Sequence, residues 1–252
     1  MGFDIPMNTK GAMDLSSMMQ GGLSRVPQQQ QNTTPVQNTN FNSNTANAVA
    51  APINNNTNIG ASTGVHLKKG QKLALAGVSG QALTSIKVCL GWDILNQACD
   101  LDASAFMTGA NGKVIGDDWF VFYGQTVSPD GSIQHSGDSQ GQGDGDDEVI
   151  TIDLNKVDPN VQKIAFVVTI NEALEKGLNF SMVANAYVRV VDNTTGQEIS
   201  RFNLTDYYAT VTSMVVGEIY RHNGQWKFNA VGDGLARDLA GLCAFYGVNV
   251  AG

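Results

Sequence analysis

From Ser85 onward the chain repeats one pattern that few architectures satisfy. In SIKVCLGWD, Ile86, Val88, Leu90 and Trp92 alternate with Ser85, Lys87, Cys89 and Gly91. That period of two turns one set of side chains to a core and the other outward. VITIDL repeats it through Ile150, Ile152 and Leu154. WFVFY (119–123) and IAFVVTI (164–170) are continuous apolar runs, as central strands covered on both sides require. AYVRVVD and EISRFNL flank NTTG, and Asn223-Gly224 divides two further strands, the strongest short hairpin signal a sequence carries. Helical spacing is confined to Leu235, Leu239, Leu242 and Tyr246, with Asp233 as the expected N-cap and Gly247 as the stop. Many short strands with one terminal helix predict an all-β sandwich with a short C-terminal helix over residues 65–252.

The first 64 residues obey different rules. Residues 28–64 begin with QQQQNTTPVQNTNFNSNTANAVAAPINNN, rich in Gln and Asn and uncharged. Such a tract buries too little apolar surface to offset its ordering entropy, so it is expected to be a disordered linker. Residues 1–27 carry Met13, Leu15, Met18, Met19 and Leu23. They read either as a frayed terminus or as a short docking segment that folds on a partner.

Charge and cysteine content narrow the function classes. With 23 acidic and 15 basic residues the net charge is −8, which argues against nucleic acid or an anionic membrane as the main partner. No run of about 18 apolar residues is present to insert in a bilayer, and the N-terminus lacks the pattern of a secretory signal. Cys89, Cys99 and Cys243 form an odd set without paired spacing, as expected of reduced, buried thiols in a cytoplasmic protein.

The feature that asks for a function is HSGDSQGQGDGDDEVITIDL (135–154). It places Asp138, Asp144, Asp146, Asp147 and Glu148 close together among glycines. Hard cations such as calcium take roughly six to eight oxygen ligands, and a glycine-rich loop lends both carboxylates and carbonyls. The loop is no EF-hand, because Val149 stands at the twelfth position and no helices flank it. A second cluster, GWDILNQACDLDASAF, holds Asp93, Asp100 and Asp102. In an extended chain Asp100 and Asp102 face one side, about 6.5 to 7 Å apart, while Leu101 faces a core. Solvated acidic turns are the alternative for both clusters.

These segments, with GKVIGDDWFVFY, IAFVVTINEA, NAYVRVVDNTTGQEISRFNL, GEIYRHNGQWKFNAVGDG and YGVNV, resemble the TerD family of tellurite-resistance and general stress-response proteins. That family is in turn related to a cAMP-binding-protein family. The resemblance runs in order from about Val65 to Val250. It implies a calcium-binding β-sandwich without established catalysis, cytoplasmic, acting with other tellurite-resistance proteins, some of them at the membrane. It further implies a calcium site built from Asp100, Asp102, Asp138, Asp144, Asp146, Asp147 and Glu148, with Asp93 and Glu172 in matching motifs. Four positions depart from the family pattern. Asn171 stands where a histidine is usual, Ser139 replaces an amide, and Asp233 and Arg237 occupy positions where small or amide residues are common.

Two other functions compete. One is a calcium-dependent module for a small ligand such as a sugar or nucleotide, with Trp92, Trp119 or Trp226 stacking on it, although core packing explains those residues equally. The other is a carboxylate hydrolase using Asp100 with Glu148. It would need one carboxyl in an apolar cleft, and the glycine-rich acidic cluster is the opposite environment. His66, His135 and His222 stand apart, without the spacing of a zinc site, and read as surface or strand residues.

Overall fold

The structure, a computed structural model, describes residues 64–77, 79–137, 145–204 and 209–249. The docking segment and all but the last residue of the Gln/Asn-rich linker lie outside the described residues, as do Asp138, Ser139 and Asp144. Among the described residues twelve strands form two six-stranded sheets. The strands are β1 (Val65–Leu67), β2 (Lys72–Ala74), β3 (Ser85–Ile94), β4 (Leu101–Thr108), β5 (Phe120–Val121) and β6 (Ile133–His135). They continue with β7 (Glu148–Asp153), β8 (Lys163–Ile170), β9 (Val183–Asp192), β10 (Glu198–Asn203), β11 (Ser213–His222) and β12 (Gln225–Leu235). Two α-helices are found among the described residues, α1 (Ala173–Lys176) and α2 (Leu239–Tyr246). One sheet has the order β1-β10-β9-β3-β7-β6 and the other β2-β12-β11-β8-β4-β5. All pairings are antiparallel except β1 with β10.

Alternation drives the packing. Ile86, Val88 and Leu90 of β3 and Ile150 and Ile152 of β7 meet Phe166 and Val168 of β8 and Ile219 and Phe228 of the β11–β12 hairpin in one core. Asn223 and Gly224 adopt φ values of 51° and 75° at that hairpin's turn, the left-handed pair that suits the twist of the flanking strands. Trp92, Trp119 and Trp226 pack against the inter-sheet core.

Two expectations need correction. WFVFY is not a central strand. Only Phe120 and Val121 are extended, at the edge of the second sheet beside β4. The run is apolar because the outer face of that sheet carries a second core beneath α2, where Phe106, Phe120, Leu242, Cys243 and Tyr246 pack together. Phe106 stacks on both Phe120 and Tyr246 there, with ring centroids 4.4 and 4.3 Å away. Nor does Asp233 cap the helix: it lies in β12 and pairs with Lys69 at 2.9 Å. Asp238 is the cap, accepting from the Gly241 N–H at 2.8 Å, and Gly247 closes the helix with φ 80° as expected.

Candidate functional site

The acidic residues converge on one end of the sandwich because of strand register. Leu90 of β3 pairs with Glu148 at the start of β7, and Asp93 near the end of β3 pairs with Ala184 at the start of β9. In the facing sheet, Leu101 at the start of β4 pairs with Ile170 at the end of β8. Asp100 and Asp102 therefore flank a strand start whose intervening Leu101 is buried in the inter-sheet core. The pattern Asp-Leu-Asp anchors the backbone while leaving both acids at the rim.

Glu148 is the deepest acid, with a side chain 1% exposed. Its Oε2 accepts from the Ala103 N–H at 2.8 Å, which ties β7 of one sheet to β4 of the other. It also lies 3.1 Å from His135 Nε2. His135 Nδ1 accepts from the Gly137 N–H at 3.0 Å, so the ring proton resides on Nε2, where Glu148 and the Ala103 carbonyl (3.0 Å) both receive it. Glu148 Oε1 is buried and has no hydrogen-bond partner among the described residues. A buried carboxylate oxygen normally has one, so its lack calls for an explanation.

Asp147 is also buried, and its Oδ2 accepts from the Trp92 N–H at 2.6 Å. Burial pushes its carboxyl above the usual range; the nearby charges of Asp93 and Asp146 add to the rise, and the Trp92 N–H acts against it. Asp93 accepts from Asn185 Nδ2 at 2.5 Å. Asp146 is already neutralised. Arg189 grips it with Nε at 2.8 Å and Nη2 at 2.6 Å, and the Tyr187 hydroxyl donates at 2.9 Å. Burial raises the Asp146 carboxyl, but the hydrogen bonds from Arg189 and Tyr187 outweigh it and hold the group below its usual value.

The remaining candidates sit at the adjoining rim. Asp100 accepts from Asn171 Nδ2 at 3.2 Å, the position where the family resemblance leads one to expect histidine. Glu172 pairs with Lys176 at 2.5 Å and takes φ 51°. Asn185, at φ 50°, and Glu172 are both non-glycine residues in the left-handed region beside the acids, a conformation that costs energy and tends to collect at functional sites. Among the described residues no three His, Cys, Asp or Glu side chains are gathered as a closed metal-binding group. The described carboxylates are tied inward by neighbouring strands rather than closed into a cage.

Sequence reasoning missed His135 and Arg189. His135 adjoins the acidic loop, and that adjacency was its only signal. Nothing in the sequence indicates which acid Arg189 takes. The cysteines are free and buried as expected. Burial, reinforced by Asp146, pushes the Cys89 thiol up to about 12, and burial with Asp238 pushes that of Cys243 to about 11. Among the described residues no helix is long and apolar enough to cross a membrane.

Comparison with known proteins bears on this architecture. Residues 63–246 match the TerD domain. Tellurium resistance protein TerD of Serratia marcescens is 46% identical over 191 residues, covering 74% of this chain and 99% of that protein. General stress protein 16U of Bacillus subtilis (strain 168) is 40% identical over 191 residues, covering 74% and 98% of the two chains. The crystal structure of a homologue of telluride resistance protein (TerD) from Streptomyces coelicolor A3(2) superposes with a TM-score of 0.51 at 23% identity. That match covers 68% of this chain and all of the other, and at such identity it speaks for the fold alone. A TerD domain that fills the two-sheet sandwich, from its first strand to its last helix, makes this chain a member of the TerD family.

Proposed function

We propose that the acidic end of the sandwich binds calcium, and that the protein is a non-enzymatic, cytoplasmic interaction module serving tellurite and stress resistance. The observation that carries this reading is Glu148 Oε1, a buried carboxylate oxygen without a partner among the described residues, at the strand that follows the acidic loop. An unsatisfied buried acceptor is costly, and a hard cation supplies what it lacks. Asp147 supports the same reading, since burial and neighbouring negative charge disfavour its ionised form until a cation offsets them.

In this reading Asp93, Asp102, Asp147 and Glu148 hold the ion from the sandwich, and Asp138 and Asp144 complete it from the loop. Asp100 and Glu172 lie at the rim, Asp100 held by Asn171 and Glu172 largely offset by Lys176. Asp146 acts one step back: its pair with Arg189 fixes the backbone that presents Asp147. Bound calcium would remove repulsion among these acids and order that end as a docking face for protein partners, such as other tellurite-resistance proteins. The Cys89 and Cys243 thiols, pushed up by burial to about 12 and 11, hold almost no thiolate at neutral pH, which argues against a cysteine nucleophile at either.

Calorimetric titration of calcium into the metal-stripped full chain tests this proposal. Saturable binding that weakens at least tenfold in both Asp147→Asn and Glu148→Gln is expected. Absence of binding, or binding untouched by both substitutions, removes the site.

A further inference from the structure

The opposite end of the sandwich holds a cleft of 530 Å³, walled by Leu75, Leu83, Leu154 and Val157 together with Arg221 and Trp226. That size suits a small organic molecule. Arg221 of β11 pairs directly with Trp226 of β12 across the hairpin, and its guanidinium carbon lies 4.2 Å from the Trp226 ring centroid. Ile219 and Phe228, two positions deeper on each strand, are fully buried in the inter-sheet core. Alternation thus turns Arg221 and Trp226 toward the interior at the mouth of the sandwich.

Every group that fixes Arg221 is a neutral carbonyl. Nε donates to Val161 at 3.0 Å, and Nη2 donates to Val157 at 2.9 Å and to Asp158 at 3.4 Å. Among the described residues no carboxylate lies within ion-pair distance of Arg221. The Asp158 side chain, whose charge acts on Arg221, accepts from the Asn160 N–H instead. Burial lowers the guanidinium's affinity for its proton, and Asp158 only partly restores it. Clamping loop 157–161 occupies only Nε and Nη2. Here Nη1 has no hydrogen bond among the described residues, and the charge is rigidly aimed in a partly apolar cleft. Arg221 is half-buried, and its free Nη1 edge is left for a ligand; guanidinium geometry matches carboxylate and phosphate oxygens.

We propose that this cleft binds a small organic anion: an apolar, ring-sized body against Trp226 and the leucines, with one carboxylate or phosphate at Arg221. The site lies at the end of the sheets away from the acidic residues and does not rest on the calcium reading.

The test titrates the isotope-labelled full chain with indole-3-acetate and phenyl phosphate, and with neutral indole-3-acetamide, following the Trp226 indole and Arg221 Nε signals. Both anions are expected to shift these signals and to bind roughly tenfold or more tightly than the amide, the worth of one charge-assisted contact. Arg221→Met, which keeps the stem's packing on Trp226, should abolish that preference. Equal affinity for anion and amide, no shifts up to about 10 mM ligand, or a preference that survives in the folded Met variant would overturn the proposal. Should that variant fail to fold, the wild-type comparison of anion with amide decides the matter alone.

Discussion

Arg189 and Asp146 form a two-pronged ion pair, Nε to Oδ1 at 2.8 Å and Nη2 to Oδ2 at 2.6 Å, joining β9 to the residue two before β7. One acid of the loop is therefore neutralised by the protein itself. Both side chains are partly exposed, so Arg189→Met should cost about 1 to 3 kcal/mol, read from urea unfolding. The sign of its pH dependence follows from the lowered Asp146 carboxyl. The pair's stabilisation is complete above the unfolded carboxylate range and is lost as pH falls through the lower folded value. The wild-type advantage over Arg189→Met should shrink on acidification below that range, and a constant difference would contradict the assignment.

Gly91 leaves room for the ring that completes this pair. A Cβ at Gly91 would stand 2.4 Å from Tyr187, whose hydroxyl donates to Asp146 and whose face carries Arg201 at 4.2 Å. Gly91→Ala should displace Tyr187 and lower stability by roughly 1 to 3 kcal/mol, measured by denaturant unfolding. Unchanged stability would mean that the ring shifts freely.

Glu148 separates structural from ligand roles. Glu148→Gln keeps an oxygen for the Ala103 N–H and His135, so metal-free stability should change by less than about 1 kcal/mol. Glu148→Ala leaves the buried Ala103 N–H without its acceptor and opens a void, costing about 2 to 4 kcal/mol. Calcium binding should weaken at least tenfold in both. Calorimetry and urea unfolding of the two variants check the split.

Asp147 should show a trade of stability for binding. Its raised carboxyl means that ionisation disfavours the folded state: its contribution is most favourable below the unfolded value and is lost as pH rises through the folded one. Asp147→Asn should therefore melt somewhat higher than wild type at neutral pH without metal, and gain less from calcium. A lower metal-free melting temperature would show that the Trp92 N–H contact outweighs the charge.

The sandwich was legible because alternation is local. SIKVCLGWDI became β3, EVITID became β7, and Asn223-Gly224 marked its turn. What misled was local likeness without its long-range cause. Asp233 reads as the cap from its place before the helical spacing, but pairing with Val215 of β11 and the ion pair with Lys69 keep it in β12. WFVFY looked like a central strand because its second apolar face serves α2, an arrangement no short window reveals. In the candidate site the acids were readable as a group, and Leu101 as their anchor. Their division was not: Arg189 claims Asp146, Ala103 and His135 hold Glu148, and Asn171 holds Asp100, all through partners on other strands or loops.

Thermal unfolding of the metal-stripped full chain, with calcium added and then chelated, tests the central claim most directly. Calcium at about a hundredfold above its dissociation constant should stabilise the fold by about 2.7 kcal/mol. That amounts to a rise of roughly 5 to 10 °C in Tm, reversed by chelator and smaller with magnesium. A melting temperature indifferent to calcium would leave Glu148 Oε1 without its cation and return the acidic loop to a solvated turn.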